Sequence, residues 1–119
     1  MAKIVAVDDS KFQMKQIQKA ILSVGHEIFT GVNGEEGLVL VEEHKPDLII
    51  SDLLMPVLDG FGFVEKIRET NKEIPIIVLT ADIQETTATR LGELGITALV
   101  NKPLSKDPFL KLIDDALKG

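Results

Sequence analysis

Five residues of this 119-residue chain are of a type and placement that could do chemistry together: Asp8, Asp9, Asp52, Thr80 and Lys102. Each sits at the end of a short apolar run. Ile4-Val5-Ala6-Val7 leads into Asp8-Asp9, Leu48-Ile49-Ile50-Ser51 into Asp52, Ile76-Ile77-Val78-Leu79 into Thr80, and a run ending at Val100 into Lys102-Pro103. Three carboxylates held together repel one another, and some of their pKa values rise unless a cation is present. Mg²⁺ suits such a group, with Mn²⁺ as the alternative. It takes oxygen ligands octahedrally, keeps waters, and needs only one or two carboxylates plus a phosphate oxygen. With no cysteine and two histidines, the chain offers little to zinc. Lys102 adds a second positive charge and Thr80 a hydroxyl. A pocket of this kind suits phosphoryl transfer, which needs positioning and charge neutralisation on the equatorial oxygens more than covalent assistance. A carboxylate is also a competent nucleophile, giving an aspartyl-phosphate.

These residues meet only if the runs before them lie side by side. Five β-rich runs, Lys3–Val7, Glu27–Gly31, Asp47–Ser51, Pro75–Leu79 and Thr97–Val100, start roughly 20 to 28 residues apart, which leaves room for a helix in each interval. Several are continuous rather than alternating, as expected of parallel strands covered on both faces. Residues 11–24 place Met14, Ile17, Ile21 and Val24 at helical spacing, with Ser10 as the cap and Gly25 as the stop. Residues 34–44 carry Leu38 and Val41, 61–70 carry Val64 and Ile67, and 107–117 carry Phe109, Leu112, Ile113 and Leu117. Residues 84–94 form a weaker helix, diluted by Thr86, Thr87 and Thr89. The order βαβαβαβαβα predicts one α/β domain over residues 1–119, a flavodoxin-like doubly wound parallel sheet of strand order 2-1-3-4-5. Ligands of such sheets sit beyond the carboxyl ends of the strands, at the topological switch point between the first and third. That edge is where the five polar residues fall.

Composition removes several classes of function. The apolar fraction of 45% supports a core, and with aromatics at 4%, all Phe, that core is Ile, Leu and Val. Thirteen basic against 19 acidic residues give a net charge of −6, which disfavours a nucleic-acid or anionic membrane surface. The longest clean apolar stretch, Ile74–Leu79, is too short to span a bilayer, and no secretory signal opens the chain. The absence of cysteine excludes disulfides and thiol catalysis and agrees with a cytoplasmic location.

Each candidate also has a plainer reading. Asp8, Asp9 and Ser10 could only cap a helix. Asp52 could be a turn carboxylate before Met55-Pro56, and Thr80 a helix cap. Lys102 alone would be a solvated side chain. Their recurrence at strand ends favours the shared site. His26 and His44 have no partner at ligand spacing and are expected to face solvent. Met14 is expected in the core, Met55 in loop packing, and Asp59 in a turn with Gly60.

With these residues in place, the chain resembles the receiver domain of two-component response regulators, in its single-domain, chemotaxis-regulator-like form. The likeness rests on Val5-Ala6-Val7-Asp8-Asp9-Ser10, on Asp52-Leu53-Leu54-Met55-Pro56 with Asp59-Gly60, on Leu79-Thr80-Ala81, and on Asn101-Lys102-Pro103. It implies that Asp52 accepts a phosphoryl group from the phosphohistidine of a sensor histidine kinase. It implies that Asp9, Asp52 and the backbone carbonyl of Leu54 ligate Mg²⁺, with Asp8 helping directly or through water. Thr80 and Lys102 would each bind a phosphoryl oxygen, and the Lys102–Pro103 bond would be cis. The implied output is to a protein partner through the fourth helix, fifth strand and fifth helix, with a phosphatase as a further partner. No enzyme activity beyond self-phosphorylation and autodephosphorylation is implied.

Two positions depart from the family pattern. Leu99 stands three residues before the lysine, where relatives often carry Tyr or Phe. Leucine has no ring to swing inward and no hydroxyl, which leaves the route from phosphate to partner open. Leu54 is apolar where many relatives are polar, and with Asp82 it is expected to set the autodephosphorylation rate. Three other readings stand beside this one. A receiver cut from a larger regulator or hybrid kinase would look the same, although a stand-alone form is favoured. A haloacid-dehalogenase-like phosphatase would need a second Asp at the place of Leu54. A flavodoxin-like flavin binder would need a phosphate loop in place of Asp8-Asp9 and aromatics that the chain lacks.

Overall fold

The computed structural model describes residues 2–81 and 83–118. Five strands and five helices alternate: β1 Lys3–Val7, α1 Lys11–Ser23, β2 Glu27–Gly31, α2 Gly34–His44, β3 Leu48–Asp52, α3 Gly60–Thr70, β4 Ile76–Thr80, α4 Glu85–Glu93, β5 Ala98–Asn101 and α5 Lys106–Lys118. All four strand pairings are parallel and the sheet order is β2-β1-β3-β4-β5, as the sequence predicts. Among the described residues, no helix is long and apolar enough to cross a membrane.

The continuous apolar runs are explained by the layers. Side chains alternate across a strand, so both faces of a covered strand must be apolar. Leu48 and Ile50 of β3 and Ile77 and Leu79 of β4 join α1 and α5 on one face, with Ile17, Ile21, Phe109 and Ile113. Ile49, Ile76 and Val78 join α3 and α4 on the other, with Phe63, Val64, Ile67 and Leu91. Met14 lies in the first layer, and Met55 packs at the margin of the second.

Helix ends follow local chemistry. Ser10 Oγ accepts from the Gln13 N–H at 3.2 Å, and Gly25 closes α1 with a φ of +85°. Asn33 and Asp59 cap α2 and α3, accepting from the N–H groups of Glu36 and Gly62. Asp59 is therefore the cap of α3, and Gly60 is the first residue of that helix. The residue before α4 is Gln84, so the plain reading of Thr80 as a cap does not hold.

β3, β4 and β5 each begin and end one residue later than the sequence pattern suggests. Asp52 pairs with Leu79 and Thr80 with Asn101, so the ladder continues through both polar residues. The expectation for the histidines also needs correction. His26 is partly buried, and its Nδ1 accepts from the Ala2 N–H at 3.1 Å. His44 stacks on Phe29 with ring centroids 3.7 Å apart. Each imidazole has found a neighbour across the fold that local spacing could not reveal.

Candidate functional site

The carboxyl ends of β1, β3, β4 and β5 meet at one edge of the sheet. Oxygens of Asp8, Asp9 and Asp52 lie within 4.8 Å of one another. Asp8 is buried and held by its neighbour, since Oδ1 accepts from the Ser10 N–H at 2.9 Å. Asp9 is exposed at the rim, and Asp52 is 7% exposed. Lys102, directly after β5, reaches over the edge, with Nζ 3.0 Å from Asp52 Oδ1 and 3.3 Å from Asp8 Oδ2. Thr80, 4% exposed, ends β4, and its carbonyl accepts from the Lys102 N–H at 2.7 Å. The Lys102–Pro103 peptide bond is cis.

Electrostatics follow from this crowding. Burial pushes the Asp52 carboxyl above its ordinary range, and the Asp8 charge adds to that, while the Lys102 hydrogen bond opposes it. For Lys102, burial works to lower the pKa, but the hydrogen bonds and charges of Asp52 and Asp8 prevail and raise it. One ammonium thus serves two carboxylates of a cluster of three. The donors are hard oxygens, two of the three acids are buried, and the group fits a divalent cation with oxygen ligands and retained waters. The structure brings all five side chains singled out in the sequence to this edge.

The loop after β3 shapes the open side. Leu54 projects into solvent at 72% exposure beside a cleft of about 360 Å³ that also touches Asp52, Thr80 and Lys102. Gly60 packs against the acceptor strand so closely that a Cβ there would lie 2.6 Å from the Asp52 carbonyl oxygen. Its N–H donates to the Leu53 carbonyl at 2.8 Å and closes the loop. Phe61 at the start of α3, and Gln84 and Thr87 at the start of α4, also line the cleft. The sequence carries no signal for their place at the cleft, because nothing in a helix start says what lies opposite it. Leu99 is half-buried against the layer that holds Phe61. Asp82 lies outside the described residues.

A five-stranded 2-1-3-4-5 sheet with an acidic cluster and a lysine at its switch point defines a receiver-type α/β domain. The family model for the response regulator receiver domain matches residues 4–114, and the chain belongs to that family. It is similar over its full length, and over the full length of the relative, to protein PilH of Pseudomonas aeruginosa at 31% identity. It is 33% identical to the transcriptional regulatory protein GlrR of Escherichia coli, covering 98% of this chain but 26% of that protein. The solved structure of the chemotaxis response regulator CheY4 of Vibrio cholerae superposes with a TM-score of 0.91 at 32% identity, covering 98% of each chain.

Proposed function

We propose that Asp52 is the phosphoacceptor of this receiver domain, and that its phosphorylation by a sensor histidine kinase switches the domain's affinity for a protein partner. The observation that carries this is the Lys102 ammonium, shared between Asp52 and Asp8 within 3.3 Å in a cluster of three carboxylates. An Asp52 oxygen would attack phosphorus as the bond from phosphorus to the kinase imidazole breaks, leaving the imidazole nitrogen with the electron pair. Lys102 would shift toward an oxygen of the transferred group, and the Thr80 hydroxyl would donate to another. Asp8, Asp9, Asp52 and the Leu54 carbonyl would hold Mg²⁺, which when bound neutralises negative charge on the acids and the phosphoryl group.

The new group brings negative charge and three acceptor oxygens to the foot of β4, and α4 begins a few residues on. The face made by α4, β5 and α5 is the readout surface in this reading, and the switch is a shift between conformations already in equilibrium.

The test is chemical. Protein incubated with Mg²⁺ and a small phosphodonor should gain one phosphoryl group by mass, stable in acid and labile in base. Asp52→Asn should gain none. An unmodified wild type, or an equal adduct on the variant, would overturn the assignment.

A further inference from the structure

The aromatic ring at the acceptor cleft belongs to α3. Phe61 lines the cleft together with Asp52, Leu54 and Thr80. A residue of α4 lies over its ring: the Arg90 guanidinium carbon is 4.1 Å from the ring centroid. The same guanidinium makes an ion pair with Glu65, one turn further along α3, at 3.5 Å. Arg90 therefore grips α3 at two points, and the first of these is a wall of the cleft.

The rest of α4 is lightly held. Of its nine residues only Leu91 is buried. Its far end is tied down by an arginine of α3. Arg68 Nε donates to the Leu94 carbonyl at 3.0 Å, and a terminal nitrogen donates to the Gly95 carbonyl at 2.9 Å. Bonds from a charged donor to two carbonyls are strong. The near end, with Thr87, opens onto the cleft. The helix is thus held at its C-terminal end by Arg68, and a cation–ring contact joins it to the cleft wall at Phe61.

We infer that Arg90 is a positioning residue that couples the acceptor cleft to α4 through Phe61. This rests on the assignment of Asp52 as phosphoacceptor. A group arriving on Asp52 changes what lines the cleft beside Phe61, and Arg90, over the Phe61 ring, carries that change to α4. The contact is of a suitable strength. An exposed cation–ring pair is worth about two- to five-fold in an equilibrium, enough to bias a two-state helix without locking it. The ion pair with Glu65 is exposed on both sides and adds little by itself. Its role is to keep the guanidinium over the ring.

The test uses beryllium fluoride with Mg²⁺ as a phosphoryl mimic and follows backbone amide resonances of the full chain. In the wild type, Thr80 and residues 87–91 should shift together as the mimic saturates. In Arg90→Ala the Thr80 shift should persist, while shifts across α4 fall by at least about two-fold. Phe61→Leu should do the same, the double variant should lose no more than either single, and Arg90→Lys should restore part of the response. Unchanged resonances in β1 and β2 guard against a folding defect. Full α4 shifts in both single variants, or losses that add in the double, would overturn the inference alone. No response to the mimic in the wild type would overturn the acceptor assignment, and this inference with it.

Discussion

Lys102 Nζ sits 3.0 Å from Asp52 Oδ1, although β3 and β5 are separated in the sheet by β4. The lysine must therefore reach across the end of β4 to offset charges that β1 and β3 bring together. Removing it leaves a buried acid pair uncompensated. Lys102→Met should lower the stability of the metal-free protein by about 1–3 kcal/mol, the usual cost of stripping a charged partner from a partly buried group. The deficit should narrow as Mg²⁺ is added, because a ligand that binds only the folded state stabilises it by mass action. Urea unfolding with chelator and then with saturating Mg²⁺ measures both. A deficit that ignores Mg²⁺ would count against the metal set.

Asp52 itself should be a stability liability in the metal-free protein. Its pKa is raised by folding, burial being the first cause. An acid of that kind favours the folded state while protonated and loses that contribution as pH rises through its folded pKa. At neutral pH it is ionised at a cost. Asp52→Asn keeps the shape and removes the charge, so it should stabilise the chelated protein at pH 7 by about 0.5–2 kcal/mol, in the range seen when functional strain is relieved. The advantage should shrink as pH falls from above the raised value toward the ordinary carboxylate range. Denaturant midpoints across roughly pH 4–7, the span of carboxylate titration, would show it. A variant less stable than wild type in chelator would contradict the charge argument.

Two glycines should respond oppositely to the same change. At Gly60 a Cβ would stand 2.6 Å from the Asp52 carbonyl oxygen and 2.8 Å from Leu53 Cα, both backbone atoms that cannot step aside. Gly60→Ala should cost about 1–3 kcal/mol, as overpacking does, and should slow formation of the Asp52 adduct because the strand end must move. At Gly92, within α4, a Cβ meets nothing within 4 Å. Gly92→Ala should stabilise by about 0.5–1 kcal/mol through helix propensity alone. Thermal melts of the two variants, run together, decide both signs.

The strands and their polar ends were legible because a parallel strand covered on both faces must be apolar without interruption. The break in Ile76-Ile77-Val78-Leu79 at Thr80 is then conspicuous. The one-residue offset of β3, β4 and β5 was not legible. It depends on which neighbour's backbone continues the ladder, as Leu79 does beside Asp52. Phe61 and Arg90 were invisible for a different reason. Phe61 reads as an ordinary apolar residue near a helix start and Arg90 as an ordinary solvated charge. Their contact exists only once α3 and α4 lie side by side. The stacking of His44 on Phe29 escaped notice in the same way.

Leu54 bears on how long a phosphoryl group would last. Its side chain is 72% exposed and borders the cleft that holds Asp52. Hydrolysis requires a water to approach phosphorus from the side away from the Asp52 oxygen, and a leucine offers that water neither a donor nor an acceptor. An amide at this position could hold the water in line, and orientation of a reactant is worth large factors in rate. Leu54→Asn should shorten the lifetime of the adduct, with a modest gain of about three- to ten-fold because an amide can orient water but cannot take its proton. Stability should hardly change, since exposed positions away from caps and cores rarely move it by more than about 0.5 kcal/mol. Release of phosphate from the isolated adduct in Mg²⁺ gives the rate directly. An unchanged half-life would mean that the water enters from elsewhere and that Leu54 is only a surface residue of the loop.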